Sequence, residues 1–174
     1  MEKSIYISEK FYNKINDIGI SNDKEQMMAF GGTTIGDMIV VSEKTFVHFQ
    51  GDKAESTRKE VTVRLRDLVN AMIEIKAKGY DTFFMTHSHF SLFGGKGDLS
   101  DEDEVNSEML RNVCSQYGMN YYDGITTGYK LYFWSTVSKN DPRLMDCYVD
   151  NNPVRYSIWV PITEKIEHLG RNKK

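Results

Sequence analysis

The run Thr82-Phe83-Phe84-Met85-Thr86-His87-Ser88-His89 carries the pattern on which the predicted fold and the predicted site both depend. Its first half is short and largely apolar, which is typical of a strand buried inside a sheet. Alternate residues of an extended strand point to the same side, so His87 and His89 are expected to present their imidazoles together. The sequence therefore predicts a buried strand that ends in a histidine pair.

Three helices are predicted around this strand from the helical spacing of apolar side chains. A capping residue or a glycine marks the ends of each helix. The first helix follows Ser8 and is stopped by Gly19, the second runs from about Val63 to Lys78 and is stopped by Gly79, and the third follows Ser100 and is stopped by Gly118.

Further short apolar runs predict the other strands of a sheet. Two of them, within residues 25–41, are joined by a turn at Gly36-Asp37. Because strands and helices alternate along the chain, the pattern predicts an α/β fold, a layered domain whose mixed sheet is flanked by helices. The remaining strands are expected at Thr45–Phe49, Tyr121–Thr126, Tyr129–Ser135, Met145–Val149 and Arg155–Val160.

Length and composition favour a single domain. The chain has 174 residues, of which 40% are hydrophobic, and this is enough for one packed core. We assign residues 1–174 to that domain, with a core at about 5–140 and C-terminal strands and a tail at 141–174.

Charge, hydropathy and cysteine content limit the partners and the compartment. The formal net charge of −3 argues against a general affinity for nucleic-acid phosphates. No apolar run approaches the roughly 18–20 residues that span a bilayer, and the N-terminus lacks the apolar stretch of a secretory signal. Cys114 and Cys147 are interpreted as free thiols in a reducing compartment. The sequence thus predicts a cytoplasmic protein without a nucleic-acid or membrane partner.

The histidine pair and a downstream acidic cluster form a candidate zinc site. Ser100-Asp101-Glu102-Asp103 opens the third helix, where Ser100 suits the cap position and the carboxylates suit the helix dipole. Two imidazoles, one carboxylate and an open fourth position are a recurring layout of catalytic zinc. Asp103, one turn into the helix, can turn back toward the end of the strand and is a candidate carboxylate ligand, with Asp98 and Asp101 as alternatives.

A catalytic zinc site also needs a general base close to the attacking water. Glu25, at the start of the first strand of the predicted strand pair, is the candidate for this role. Glu43 is the alternative, although it lies beyond the second strand of that pair.

The order of these residues resembles the JAB/MPN domain and its JAMM motif. That motif is a glutamate, then His-x-His-Pro, a spacer and Ser-x-x-Asp, and Glu25, His87-Ser88-His89 and Ser100-Asp101-Glu102-Asp103 follow the same order. The resemblance covers about residues 5–140 and extends to the order of strands and helices. It implies a JAB/MPN-like, cytidine-deaminase-like architecture.

Family members with the full motif are zinc isopeptidases or peptidases, including deubiquitinases. The resemblance therefore implies a Zn²⁺-dependent hydrolase whose substrate is a peptide or a protein, isopeptide conjugates included. It implies that His87, His89 and Asp103 bind zinc, and that Glu25 deprotonates the attacking water and passes the proton to the leaving amine. Ser100 would then form a hydrogen bond with the developing oxyanion or with the attacking water.

The chain departs from the motif in the segment between its two halves. Phe90 replaces the usual proline, and the spacer of ten residues is longer than in the family and contains Gly94-Gly95-Lys96-Gly97. These departures keep a second class of function open, a non-catalytic binding or scaffold domain on the same fold. A metal-dependent phosphoesterase or amidohydrolase is a weaker third hypothesis, because only His48 and His168 remain as further histidines.

Overall fold

The fold is built on one mixed β-sheet. The computed structural model describes residues 2–57, 60–89, 101–138 and 140–155. Within these residues, nine strands share the sheet and two form a separate hairpin. The strands are β1 Ser4–Ile7, β2 Met27–Ile35, β3 Met38–Phe49, β4 Ala54–Ser56, β5 Val61–Val63, β6 Thr82–Ser88, β7 Asn120–Thr126, β8 Leu131–Thr136, β9 Arg143–Leu144, β10 Cys147–Val149 and β11 Asn152–Pro153.

Three helices flank the sheet within the described ranges. They are α1 Glu9–Ser21, α2 Leu65–Ala77 and α3 Asp101–Gln116. The order of strands across the sheet is β11-β10-β1-β3-β2-β6-β7-β8-β9. Strand β6 runs antiparallel to β2 and parallel to β7, so the sheet is mixed. The predicted α/β architecture, a mixed sheet flanked by helices, is confirmed.

The helices lie on opposite faces of the sheet. Phe84 packs in one cluster with residues of α1, whereas its neighbours Phe83 and Met85 pack in another with residues of α2 and α3. Successive side chains of a strand point to opposite faces, so this alternation fixes which side each residue occupies. His87, two residues beyond Met85, therefore lies on the face that α2 and α3 cover.

The ends of the helices follow the predicted capping pattern. Ser8 precedes α1, and its hydroxyl accepts a hydrogen bond from the N–H of Phe11 at 3.1 Å. Gly79 and Gly118 follow α2 and α3 with φ angles of +93° and +71°, the left-handed conformation that ends many helices.

Two local expectations were wrong, and one strand was missed. Helix α1 does not end at Gly19 but continues to Ser21. A Cβ atom at Gly19 would lie 3.1 Å from the side chain of Thr126, so the glycine allows the helix to approach β7. Thr45–Phe49 is the second half of β3 and no separate strand, and β1 had not been expected at all.

The C-terminal strands match the expectation only in part. The predicted strand at Met145–Val149 corresponds to β10, which pairs with β1 in parallel. The predicted strand at Arg155–Val160 lies outside the described residues after its first position. Cys114 and Cys147 are both buried and form no disulfide with each other. No helix in the described ranges is long and apolar enough to cross a membrane.

Candidate metal centre

The histidine pair lies at the end of a strand in the interior of the sheet. His87 belongs to β6, where it is paired with Met27 of β2 and Ile125 of β7. The N–H of His89 donates to the carbonyl oxygen of Thr126 at 3.0 Å, which extends the contact with β7 beyond the strand. The main chain thus holds both imidazoles on the same face. Their Nε2 atoms are 2.8 Å apart, so one ring donates a hydrogen bond to the other.

Asp103 brings a carboxylate to the two imidazoles. It lies in the first turn of α3, with Oδ1 3.2 Å from Nε2 of His87 and Oδ2 3.6 Å from Nε2 of His89. One potential ligand atom from each of the three residues lies within 4.8 Å of the others. Between 12% and 18% of each side chain is exposed, so the group is shielded but open to solvent.

A buried hydrogen-bond network fixes α3 against the sheet one turn beyond Asp103. The hydroxyl of Ser107 donates to Oδ2 of Asp123 on β7 at 2.5 Å. The phenol of Tyr121 donates to Oδ1 of the same carboxylate at 2.6 Å. Arg111, a further turn along α3, brings its guanidinium within 3.9 Å of Asp123. These contacts hold the helix in the position from which Asp103 reaches the histidines.

The carboxylates around His87 change its protonation. Burial lowers the pKa of His87, but the hydrogen bond and the charge of Asp103 outweigh this, with smaller contributions from Glu25 and Asp123. The net result is a pKa above the ordinary value. Burial also raises the pKa of Asp123, although the hydrogen bonds from Ser107 and Tyr121 oppose the shift.

Glu25 lies beside this group, just ahead of β2. Its backbone N–H donates to the carbonyl oxygen of Thr57 at 2.8 Å. Burial raises the pKa of the Glu25 carboxyl to about 7; His87 opposes the shift, and the charge of Asp103 adds to it. A carboxyl with such a pKa can both accept and release a proton near neutral pH.

The candidate ligands and Glu25 open into one cavity of about 370 Å³. Part of its lining comes from the β4–β5 hairpin and from α2 and α3, and Met85, Tyr121 and Asp123 contribute from the sheet. Much of the lining is apolar. The apolar residues are Met27, Val61, Val63, Leu65, Leu68, Met85, Met109 and Leu110.

Of the alternatives for individual roles, the two that the structure describes are not part of the three-residue group. Asp101 is exposed and is not a member of the three-residue group, and Asp98 lies outside the described residues. Glu43 is 3.9 Å from Lys14 and does not line the cavity. Ser100, the predicted oxyanion donor, also lies outside the described residues.

Of the other two histidines, only one falls in the described ranges. His48 is partly buried, and its Nε2 lies 2.9 Å from the side-chain oxygen of Gln26, so it has a structural contact. His168 lies outside those ranges.

Sequence reasoning missed two residues at this site. Asp123 occupies a buried position in a strand, where an unpaired charge is rare, and this was the available signal. Ser88 was noted only as the residue between the histidines. Its hydroxyl accepts a hydrogen bond from the N–H of Gln26 at 2.7 Å.

The donor set fits a metal ion. Two imidazole nitrogens and one carboxylate that converge on a partly open point are ligands that divalent transition metals accept. The contact between the two Nε2 atoms requires a proton on one of them, whereas a metal needs the lone pairs of both. The group of His87, His89 and Asp103 could therefore bind a metal ion in exchange for a proton.

Comparison with known proteins adds information on the fold alone. No family model matches the sequence, and no curated protein matches it. A similar solved structure is the solution structure of protein DSY2949 from Desulfitobacterium hafniense, with 13% sequence identity and a TM-score of 0.53. The similarity covers 83% of this chain and 92% of that chain. The chain therefore resembles that protein in its overall α/β fold.

Proposed function

We propose that this protein is a zinc-dependent hydrolase of peptide or isopeptide bonds with a JAB/MPN-like fold. One observation carries the proposal: the convergence of His87, His89 and Asp103 beside Glu25, at the wall of a single cavity. Each of these residues matches the corresponding position of the JAMM motif.

In this proposal His87, His89 and Asp103 hold the zinc ion. A zinc ion bound there would lower the pKa of a coordinated water toward 7 and polarise the carbonyl group of the substrate. In the metal-free protein Asp103 holds His87 in place through the contact of 3.2 Å to its Nε2, a contact that coordination of the ion would replace. Ser107, which donates to Asp123, keeps α3 and hence Asp103 in register with β6 and β7.

Glu25 is the proposed general base and general acid. Its carboxyl accepts the proton of the attacking water and then delivers that proton to the amine nitrogen as the amide bond breaks. A pKa of about 7 suits both transfers, because neither protonation state is strongly disfavoured near neutral pH. Ser100 is the proposed donor to the developing oxyanion, as the motif implies.

The cavity supports a peptide-like substrate. Its apolar lining can bury aliphatic side chains next to the scissile bond, and its polar side carries the proposed catalytic group. Glu60 and Glu102 also line it. This combination favours a chain with apolar side chains over a highly anionic substrate such as a nucleotide.

A second candidate is a non-catalytic binding or scaffold domain, which Phe90 and the long spacer before Ser100 favour. The two candidates differ in a measurable way. The hydrolase requires Glu25 for turnover, whereas a scaffold would bind its partner equally well with glutamine at that position.

Metal content is the first test. We expect about one zinc per chain in the purified protein and none in the His87→Ala, His89→Ala double variant. Asp103→Ala should lose zinc, whereas Asp101→Ala, which removes a carboxylate from the same helical turn, should retain it. Equal zinc content in Asp103→Ala and Asp101→Ala would mean that Asp103 is not a zinc ligand.

Turnover is the second test. The zinc-loaded protein is incubated with a panel of peptides and isopeptide-linked conjugates, and Glu25→Gln is compared with Glu43→Gln. We expect Glu25→Gln to retain zinc and lose hydrolysis, while Glu43→Gln retains both. No hydrolysis by the wild-type protein over the whole panel would leave the scaffold hypothesis as the better one.

A further inference from the structure

The residue between the two histidines makes an unusual contact with the segment that carries Glu25. Ser88 is 2% exposed, and its hydroxyl accepts a hydrogen bond from the N–H of Gln26 at 2.7 Å. The N–H of Ser88 in turn donates to the carbonyl oxygen of Gln26 at 2.9 Å. In a regular antiparallel pair, two main-chain bonds would join these residues. Here the serine side chain supplies one of the two acceptors.

This pair lies directly beyond the last ladder position that joins β2 and β6, where Met27 is paired with His87. A strand end at such a place would ordinarily fray. The hydrogen bond from the N–H of Gln26 to the hydroxyl of Ser88 restrains Gln26, and Gln26 is the residue that directly follows Glu25. On its other side Glu25 is restrained by its own N–H, which donates to Thr57. The backbone of Glu25 is thus held from both directions.

We propose that Ser88 is a positioning residue that sets the location of Glu25 relative to His87 and His89. The tripeptide His87-Ser88-His89 then has two functions: its outer residues bind the metal, and its middle residue holds the segment that carries the general base. The catalytic part of this inference rests on the proposed hydrolase function. The structural part is independent of that function.

A second contact supports the same assignment. The side-chain oxygen of Gln26 lies 2.9 Å from Nε2 of His48 on β3. The Gln26 side-chain amide donates to the carbonyl oxygen of Lys24 at 3.0 Å. Both bonds act on the residue next to Glu25, so the side chain of Gln26 is restrained as well as its main chain. Ser88 is the member of this set that joins it directly to the histidine strand.

The test uses the full-length protein and two readouts. Amide hydrogen exchange in the metal-free protein measures whether Ser88→Ala exposes the N–H of Gln26. We expect exchange at Gln26 to accelerate at least about tenfold, because the hydrogen bond that protects it is lost. The N–H of Phe84 in the middle of β6 should be unchanged. Unchanged exchange at Gln26 would overturn the proposal.

Kinetics of the zinc-loaded protein is the second readout. We expect Ser88→Ala to retain zinc, to lose about tenfold in kcat and to keep KM within about twofold, because only the base has moved. Wild-type kcat in Ser88→Ala would overturn the positioning role.

Thr45→Val is the matched control for a merely structural effect. The hydroxyl of Thr45 also accepts a hydrogen bond from an N–H of β2, that of Gly31, at 2.6 Å, and Thr45 is 3% exposed. It lies away from the cavity. The Thr45 hydroxyl also donates to the carbonyl oxygen of Ser42 at 2.7 Å, so we expect Thr45→Val to lower Tm at least as much as Ser88→Ala, but only Ser88→Ala to lower kcat. An equal loss of kcat in both would overturn the proposal.

Two further variants keep the test decisive. Ser88→Thr retains the hydroxyl and should restore protection of Gln26 and most of kcat. If Ser88→Ala does not fold, Ser88→Cys takes its place, since a thiol of similar size is a weaker acceptor. If the wild-type protein hydrolyses nothing, the hydrolase proposal fails, and hydrogen exchange at Gln26 alone decides whether Ser88 holds the segment.

Discussion

Oδ1 of Asp103 lies 3.2 Å from Nε2 of His87, although one residue is in the first turn of a helix and the other is near the end of a strand. The contact joins the α3 layer to the sheet at the point where the proposed metal site forms. It also raises the pKa of His87 against the opposing effect of burial. The metal-free protein therefore retains a proton at this site that a metal ion must displace.

Asp103→Asn should lower the pKa of His87 in the metal-free protein. The substitution removes a carboxylate charge from beside the ring, so the effect of burial is opposed less strongly. The pKa can be followed by NMR titration of the imidazole, with His48 as an internal reference on another strand. An unchanged pKa of His87 in this variant would show that the Asp103 contact is absent in solution.

The same shift determines how the stability of the metal-free protein depends on pH. The folded pKa of His87 is above its ordinary value, so the folded state binds the proton more tightly than the unfolded state. This stabilisation is fully present below pH about 6.5 and is lost as the pH rises through the folded pKa. Chemical unfolding at a series of pH values measures this effect. The free energy of unfolding should decline less over this pH range in Asp103→Asn than in the wild-type protein.

Glu25→Gln should stabilise the metal-free protein at pH 8 while it abolishes turnover. The folded pKa of Glu25 is raised from 4.5 to about 7, so the ionised carboxylate is disfavoured in the folded state above that pH. Stability linked to Glu25 is fully present below its unfolded pKa and is lost as the pH rises through 7. After allowance for solvent screening, we expect a gain of about 1–2 kcal/mol at pH 8.

Urea unfolding at pH 5 and pH 8 measures this gain. The difference between Glu25→Gln and wild type should be larger at pH 8 than at pH 5. Equal differences at both pH values would mean that burial does not penalise the Glu25 carboxylate.

The parts of the fold that the sequence predicted are those that depend on local patterns. The apolar run of Thr82–Thr86 and the helical spacing after Val63 reflect periodicities that hold over one strand or one helix. The positive φ of Gly79 and Gly118 likewise follows from glycine at a helix end. Such features need no knowledge of the tertiary structure.

The parts that could not be predicted depend on contacts between distant segments. The sequence pattern placed the end of the first helix at Gly19, as if the glycine were a helix stop. The glycine is instead favoured by the close approach of Thr126, and this tertiary contact leaves no local signal in the sequence. Strand β1 has only four residues, and its place between β3 and β10 gives it its structure. For the candidate site, the motif predicted the ligands, whereas the contact of Ser107 with Asp123 required the packing of α3 on β7.

Ser107→Ala should weaken zinc binding although Ser107 is no ligand. The substitution leaves the buried carboxylate of Asp123 without one of its donors and loosens α3 one turn from Asp103. We expect a loss of about 1–3 kcal/mol in the free energy of unfolding. The affinity for zinc should fall about 10- to 100-fold, as for other residues that orient metal ligands.

Thr34→Val is the control for this prediction. Thr34 also joins two segments through a hydroxyl bond to a carboxylate, that of Asp81 at 3.2 Å, but near the far end of β2. It should lower stability without a change in zinc affinity, measured by competition with a chelator. Equal zinc affinities in Ser107→Ala and the wild-type protein would mean that the hydrogen bonds of Asp123 do not affect the metal site.

Gly124→Ala should disturb the site through the spacing of β6 and β7. A Cβ atom at Gly124 would lie 2.3 Å from Oγ1 of Thr86, the residue before His87, and both residues are in the interior of the sheet. A contact this short forces the two strands apart, at a cost of about 1–3 kcal/mol. His89, whose N–H donates to Thr126 of β7, would move with β6, so zinc affinity should fall together with stability.

A compensating substitution distinguishes this steric effect from a general intolerance of β7 to change. Oγ1 of Thr86 is buried and has no hydrogen-bond partner among the described residues, so Thr86→Ala removes the atom that blocks the new methyl group without the loss of a bond. Because Cβ of Thr86 remains 3.2 Å from the added carbon, the double variant should recover most but not all of the lost stability and zinc affinity. A double variant as unstable as Gly124→Ala would mean that the contact with Thr86 does not set the distance between the strands, and that the position of the histidine pair depends on other packing.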